Sequence, residues 1–183
     1  MDLELEKKLI IRTQAGDHQA FAQLIEHYKS PVFNLIYLMT NGSMEESDDL
    51  AQEAFLRVYD GIDSFDPLKR FFPWLYTICL NVIRDYLKKK KATYIPAQKL
   101  FEEQGETKNN NPEELFFQRQ ENEIVQECLN RLPEDQRAAI ILKYFQELAF
   151  DDIAEILGIS ASGAKMRVYR GLATMQADLK QEK

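Results

Sequence analysis

Two stretches of the chain bring together residue types that could do chemistry. The first, Phe71–Lys91 (FFPWLYTICLNVIRDYLKKKK), sets aromatic side chains beside Asn81, Arg84 and a run of four lysines. Rings stack on unpaired bases while cations track phosphates, so this composition suits single-stranded nucleic acid. An amphipathic helix with a solvated lysine tail gives the same pattern, and the segment alone leaves both readings open. The second stretch, SASGAKMRVYRGLATMQADL from Ser160 onward, groups Lys165, Met166, Arg167 and Arg170 on one helical face, with Ser162 and Thr174 nearby. Arg and Lys on such a face can read guanine edges in a major groove. The alternative there is a plain helical hairpin with a solvated basic face.

No catalytic constellation competes with these. The chain has no Gly-rich phosphate loop, HExxH, paired-cysteine motif or nucleophile elbow. His18 and His27 lie in different turns with no cysteine or carboxylate pattern around them, which reads as surface histidine rather than metal ligand. Cys79 and Cys128 fall at inward-looking helical positions, the pattern of reduced core thiols. We therefore expect no metal, no cofactor and no enzyme.

The elements that must position these residues are helices. Pro73 suits the first turn of one, and Leu75, Ile78, Cys79, Val82, Ile83 and Tyr86 then recur at the spacing of a buried face. Thr77, Asn81, Arg84 and Lys88 recur on another face, free to meet a partner. Upstream, residues 2–14 and 18–39 read as helices separated at Gly16-Asp17, with Asp17 as N-cap. Ser43 with Glu46, or Ser47, caps the next, EESDDLAQEAFLRVYDGI. Ala51, Ala54, Phe55 and Val58 face its core side, while Asp49, Gln52, Glu53 and Asp60 line up outward. Taken alone, such an acidic face is a solvated one. Gly61–Arg70 is a loop delivering the chain to the aromatic segment.

Periodicity stops after Lys91. Residues 92–112 end in an Asn run before Pro112 and read as a flexible linker between domains 1–91 and 113–183. A helix from Glu113 to about Arg131 is expected next, then one from Leu132-Pro133 with Ala138, Ile141, Leu142 and Phe145 inward. DDIAEILG follows, ended by Gly158, and Ile159-Ser160 opens the last helix, with Ala161, Ala164, Val168, Leu172, Met175 and Leu179 on its core face. A helix, a short turn with Gly and a basic second helix make a helix-turn-helix. The expected fold class is all-α: two small helical domains, the second a helix-turn-helix.

The formal charge of −7 over 183 residues, taken whole, argues against a nucleic-acid partner. Its distribution argues the other way. Residues 81–91 hold five cations against Asp85 alone, and residues 160–173 hold three cations and no acid. The excess acid sits in residues 102–123, with seven glutamates against Lys108 and Arg119. Basic faces act within a Debye length of about 10 Å, whatever a distant acidic segment carries. The linker acids Glu102, Glu103 and Glu106 are expected to fold back weakly on those faces. No apolar run is long enough to span a membrane, and MDLELEKKLIIR lacks a signal-peptide pattern, so a cytoplasmic location without membrane insertion is expected.

In combination these stretches resemble the extracytoplasmic-function sigma factors of bacteria, over nearly the whole chain. Asp49–Phe55 (DLAQEAF) resembles the D-L-x-Q-E-x-F core of the family's polymerase-binding helix. Residues 65–91 resemble its promoter-melting segment, with Phe71, Trp74, Leu75, Tyr76, Asn81 and Asp85 in matching places. Residues 132–179 resemble its second domain. The resemblance implies a transcription initiation factor. Asp49, Gln52 and Glu53 would bind core RNA polymerase. Phe71, Trp74, Tyr76, Asn81, Arg84 and Lys88 would serve −10 DNA and melting, with loop Gly61–Phe72 and Asn81 receiving a flipped base. Ser162, Lys165, Met166, Arg167 and Arg170 would meet the −35 element. The implied partners are core polymerase, promoter DNA and a membrane-linked anti-sigma factor. Two departures bear on promoter sequence: Met166 replaces a usual Ser, and Leu80 stands where a basic residue is common. The competing class is a helix-turn-helix regulator that never joins polymerase; it accounts for residues 150–175 only.

Overall fold

The computed structural model describes residues 2–41, 43–93 and 124–181. Most of the linker expected over 92–112 and the first part of the helix expected from Glu113 lie outside the described residues, as do the linker acids. Ala92 and Thr93 continue the preceding helix. Among the described residues there are helices and no strands.

The first unit is built from α1 (Leu3–Gln14), α2 (His18–Thr40), α3 (Met44–Gly61), a 3-10 turn (Ile62–Ser64) and α4 (Phe71–Thr93). Its boundaries follow from local chemistry. Asp17 caps α2, its Oδ1 accepting from the backbone N–H of Gln19 at 3.0 Å and Ala20 at 3.1 Å. Asn41 ends α2 in the left-handed region, which Asn tolerates. Ser43 caps α3 reciprocally: Glu46 N–H donates to Ser43 Oγ, and Ser43 N–H to Glu46 Oε2. Of the two caps proposed from sequence, Ser43 is the one formed. Leu9, Ile10, Leu24, Val32, Leu35, Ile36, Ala54, Val58, Leu75, Cys79 and Ile83 meet in the core. Inside it the Tyr28 hydroxyl donates to buried Glu6 at 2.6 Å. Burial, and then that carboxylate, push the Tyr28 hydroxyl pKa far above its ordinary value, so it stays a donor.

The second unit holds α5 (124–131), α6 (Glu134–Ile140), α7 (Phe150–Leu157) and α8 (Ala161–Gln181). α6 runs on into a π-turn, Ile141–Phe145, where Gln146 N–H bonds back to Ile141 O at 3.1 Å. That wider turn throws the 3.6-residue count out of phase. Ala138, Ile141 and Leu142 are buried as the spacing predicts, but Phe145 faces solvent, a correction to the sequence reading. Leu179 is also exposed rather than inward. Gly158 closes α7 at φ +64, a conformation side chains resist, and Ser160 Oγ accepts from Gly163 N–H to start α8.

Candidate nucleic-acid interface

Loop 61–70 is pinned from both ends. Gln14 Nε2 donates to Ile62 O at 2.7 Å and to Phe65 O at 2.8 Å, tying the loop to α1. Phe65 packs edge-on to Phe71 with ring centroids 5.5 Å apart and lies 4.8 Å from Trp74; Phe71 lies 5.5 Å from Tyr28. A Cβ on Gly61 would sit 3.3 Å from the Trp74 ring, so Gly permits this close approach. These contacts explain why the aromatics cluster at the head of α4: they fasten a loop.

They also divide the expected −10 residues. Phe71 is 2% exposed and Tyr76 4%, so neither ring offers a face to a base in this arrangement. Both are core anchors here, and Trp74 is half-buried against Gly61 and Phe65. Asn81 and Lys88 are exposed and Arg84 half-exposed, with Arg84 Nη1 donating to Asn81 Oδ1 at 3.2 Å. One lysine of the tail is already engaged: Lys90 donates to the Tyr86 hydroxyl at 2.7 Å and lies 5.1 Å from its ring. Burial pushes the Cys79 thiol up to about 12, which leaves an inert core thiol.

The expected polymerase-binding residues share the outward face of α3. Asp49 and Gln52 are exposed. Glu53 accepts from Arg57 at 2.6 Å, and Arg57 also donates to Asp85 on α4 at 3.1 Å. Those two carboxylates, Asp85 first, raise the Arg57 pKa. At the other end of α3, Glu46 accepts from the Tyr86 hydroxyl at 2.7 Å. Burial works against ionisation of Glu46, but hydrogen bonds from Tyr86 and Ser43 and the charge of Lys90 outweigh it and lower its pKa. Sequence reading missed Leu56. It is 64% exposed, one turn from Gln52 and Asp60, in the middle of the acidic face. Its signal was an apolar residue out of phase with the core stripe.

On α8, Ser162, Lys165, Met166 and Arg170 are all exposed, while Ala164 and Val168 are buried against the rest of the unit. Met166, at 51% exposure, is an apolar side chain presented to solvent, as its place on the polar face predicts. Arg167 differs: its Nε donates to Asp135 on α6 at 3.1 Å and it is only partly exposed. Tyr169, absent from the sequence reading, is exposed with Lys165 Nζ 5.7 Å from its ring. On the far side, α8 approaches α6 so closely at Gly171 that a Cβ there would lie 2.6 Å from Ile140 Cδ1.

The two units meet along α4 and α2. The Tyr76 hydroxyl donates to Gln146 Oε1 at 2.9 Å, and Gln146 Nε2 donates to Pro31 O at 3.2 Å. Arg137 donates to Met39 O and Gln126 to Leu38 O, satisfying carbonyls at the end of α2. Arg84 pairs with Glu134 on α6 at 3.2 Å, and Arg70 pairs with Asp152 and Glu155 on α7. Leu80 is fully buried one turn from Tyr76 and Arg84 on this same face. A charged residue at that position would be desolvated, which is a physical reason for Leu there. The face carrying Thr77 and Arg84, expected to be open to a partner, therefore meets the chain's own second unit.

Among the described residues no group of three side chains could hold a metal ion, and no helix is long and apolar enough to cross a membrane. The Sigma-70 region 2 family model matches residues 24–93, and the Sigma-70, region 4 model matches residues 122–175. The chain is 35% identical over 181 residues to the ECF RNA polymerase sigma factor SigW of Bacillus subtilis, covering 95% of this chain and 96% of that protein. It is 31% identical over 172 residues to the ECF RNA polymerase sigma-E factor of Escherichia coli K12, covering 90% and 89%. Among solved structures, CnrH in complex with the cytosolic domain of CnrY has the same fold, with TM-score 0.76 at 22% identity over 98% of this chain and 99% of that one. The sigma factor RpoE in complex with the anti-sigma factor NepR from Bartonella quintana gives TM-score 0.66 at 22% identity, covering 89% and 98%. With both sigma-70 regions present in order and whole-length relatives above 30% identity, the chain belongs to the extracytoplasmic-function (ECF) RNA polymerase sigma factors.

Proposed function

We propose that this protein joins core RNA polymerase through α3, contacts the −10 element through loop 61–70 and α4, and contacts the −35 element through α8. The observation that carries the reading is the pair of family matches, one on each helical unit, so that each of the two promoter elements has its own unit. A regulator that binds DNA alone would account for the second unit only. Asp49, Gln52 and Glu53, joined by Leu56, form the polymerase face. Asn81, Arg84 and Lys88 supply the polar and cationic contacts to the melted strand, while Phe71, Trp74 and Tyr76 hold the loop that borders it. Ser162, Lys165, Met166 and Arg170, with Tyr169, form the −35 face, and Arg167 braces α8 against α6. The allocation of residues 1–91 to polymerase and −10 DNA and of 113–183 to the −35 element follows the same division. The protein works as a non-enzymatic factor in the cytoplasm, where polymerase and promoter meet. An anti-sigma factor is a further partner; the fold is shared with RpoE, whose structure holds one. The test is permanganate footprinting. Promoter thymines should become reactive only when this protein and core polymerase are both present, and reactivity that does not depend on the protein overturns the reading.

A further inference from the structure

Loop 61–70, which joins α3 to α4, is proposed above to border the −10 bases. Its internal hydrogen bonds hold its bends. Ser64 Oγ donates to Gly61 O at 2.8 Å, Phe65 N–H to Ile62 O at 3.0 Å and Lys69 N–H to Asp66 O at 2.9 Å. What fixes the loop relative to α1 is one group, the Gln14 amide nitrogen, which reaches Ile62 O at 2.7 Å and Phe65 O at 2.8 Å. An amide nitrogen has two N–H groups, and both are spent on the carbonyls that flank this bend. Ile62 and Phe65 are buried and Gln14 is half-buried, so the carbonyls lose water when the loop seats and need a donor in its place. Gln14 is the last residue of α1, after which Gly16 at φ +88 turns the chain towards α2. Phe65 passes the position on, its ring 4.8 Å from Trp74 and edge-on to Phe71 at the head of α4.

We propose that Gln14 is a positioning residue for promoter opening: it seats loop 61–70 on α1 and so sets the shape against which −10 bases are read, without contacting DNA itself. The principle is pre-organisation. A surface loop left to itself samples many conformations, and a base site formed in only a fraction of them binds in proportion to that fraction. The seat is also specific in its chemistry. A carboxylate of the same shape would set its oxygens against two carbonyl oxygens, and a thioether of similar length would offer neither donor. Gln14 lies outside the residues assigned to polymerase, −10 or −35 contacts, so its effect reaches promoter DNA only through the loop. The inference rests on the assignment of loop 61–70 to −10 DNA.

The experiment uses the full chain. Gln14→Met keeps the side-chain length and removes both donors, while Gln14→Lys restores a donor of similar reach. Trp74 is the single tryptophan of the chain and packs on Phe65, so its emission reports the seat of the loop in the free protein. Gln14→Met should shift that emission to the red and make it more accessible to acrylamide, with Gln14→Lys close to wild type. With core polymerase, Gln14→Met should lower permanganate reactivity of promoter thymines about tenfold, the factor expected when the competent form of the loop falls from most of the population to about a tenth. It should flatten base preferences in a randomised −10 library and leave those in a −35 library unchanged, and Gln14→Lys should recover both opening and preference. Opening and −10 preferences that match wild type in Gln14→Met overturn the inference. So does equal flattening of the −10 and −35 preferences, which marks a general loss of fold, and so does a Gln14→Lys variant as impaired as Gln14→Met. The assignment of the loop is judged separately by Lys69→Ala, on its exposed side. Impaired opening there, with Gln14→Met like wild type, keeps the loop on DNA and removes Gln14 from its seating.

Discussion

Among single side chains, Met166 is the sharpest test of the proposed promoter reading. It is exposed between Lys165 and Arg170, opposite the buried Val168, so packing does not require it. The one apolar feature of the major groove is the thymine methyl. A thymine, on either strand, is expected under this position of the −35 element. Met166→Ser should relax that preference by an amount at the low end of about 1–3 kcal/mol, read from a randomised −35 library; an unchanged logo would show that Met166 reads nothing. Asn81 offers a matching probe for melting. Its side chain is exposed beside Arg84, so Asn81→Ala should lower permanganate reactivity of promoter thymines while closed-complex binding survives. Equal loss of both would make Asn81 structural. Gly171 tests packing. A methyl there gains about 1 kcal/mol of helix propensity but overpacks against buried Ile140 at a cost of about 1–3 kcal/mol. Gly171→Ala should therefore lower stability in denaturant melts, and adding Ile140→Val, which removes the clashing Cδ1, should recover part of the loss.

Elements were legible where their ends are made of local chemistry. Asp17, Ser43, Gly158 and Ser160 each cap or close a helix as their residue types predict. What failed was phase and environment. The π-turn after α6 moved Phe145 to the surface, and only the backbone hydrogen-bond pattern reveals such a turn. Leu56 was hidden in a face that reads as merely acidic. Because it is a large apolar side chain at the centre of charged neighbours, it fits the anchor of an interface with a polar rim. Gln52→Lys should weaken core binding, and Leu56→Ala should weaken it as well, while each moves stability by only about 0.5 kcal/mol as exposed substitutions do. Undiminished core affinity in both would remove α3 from the interface. The start of α3 has a pH signature. The Glu46 pKa is lowered in the folded protein, so its contribution is present above its unfolded value and lost as pH falls through the folded one. Glu46→Gln should therefore destabilise at neutral pH, and its difference from wild type should shrink as pH falls through the lowered Glu46 pKa. A difference that stays constant with pH would assign the effect to packing.

At the scale of the molecule, the all-α class and the helix-turn-helix were legible because periodicity and caps are local signals. The meeting of the two units was not. Tyr76, Thr77, Leu80 and Arg84 share a face whose pattern says half-polar, and no local rule tells whether solvent, DNA or the chain's own α6 and α7 covers it. Contacts such as Arg137 to Met39 O join residues 98 positions apart, beyond the reach of periodicity. The same holds for Phe71 and Tyr76: their types suggest stacking on bases, while long-range packing makes them anchors. The central claim is that one chain couples polymerase to promoter through both units. It is tested most directly by transcription with purified core RNA polymerase on a randomised promoter library, sequencing the transcripts' start sites with and without this protein. New starts that depend on the protein are predicted, preceded by paired −35 and −10 elements at fixed spacing. Protein-dependent binding to duplex sites with no protein-dependent starts would contradict the claim.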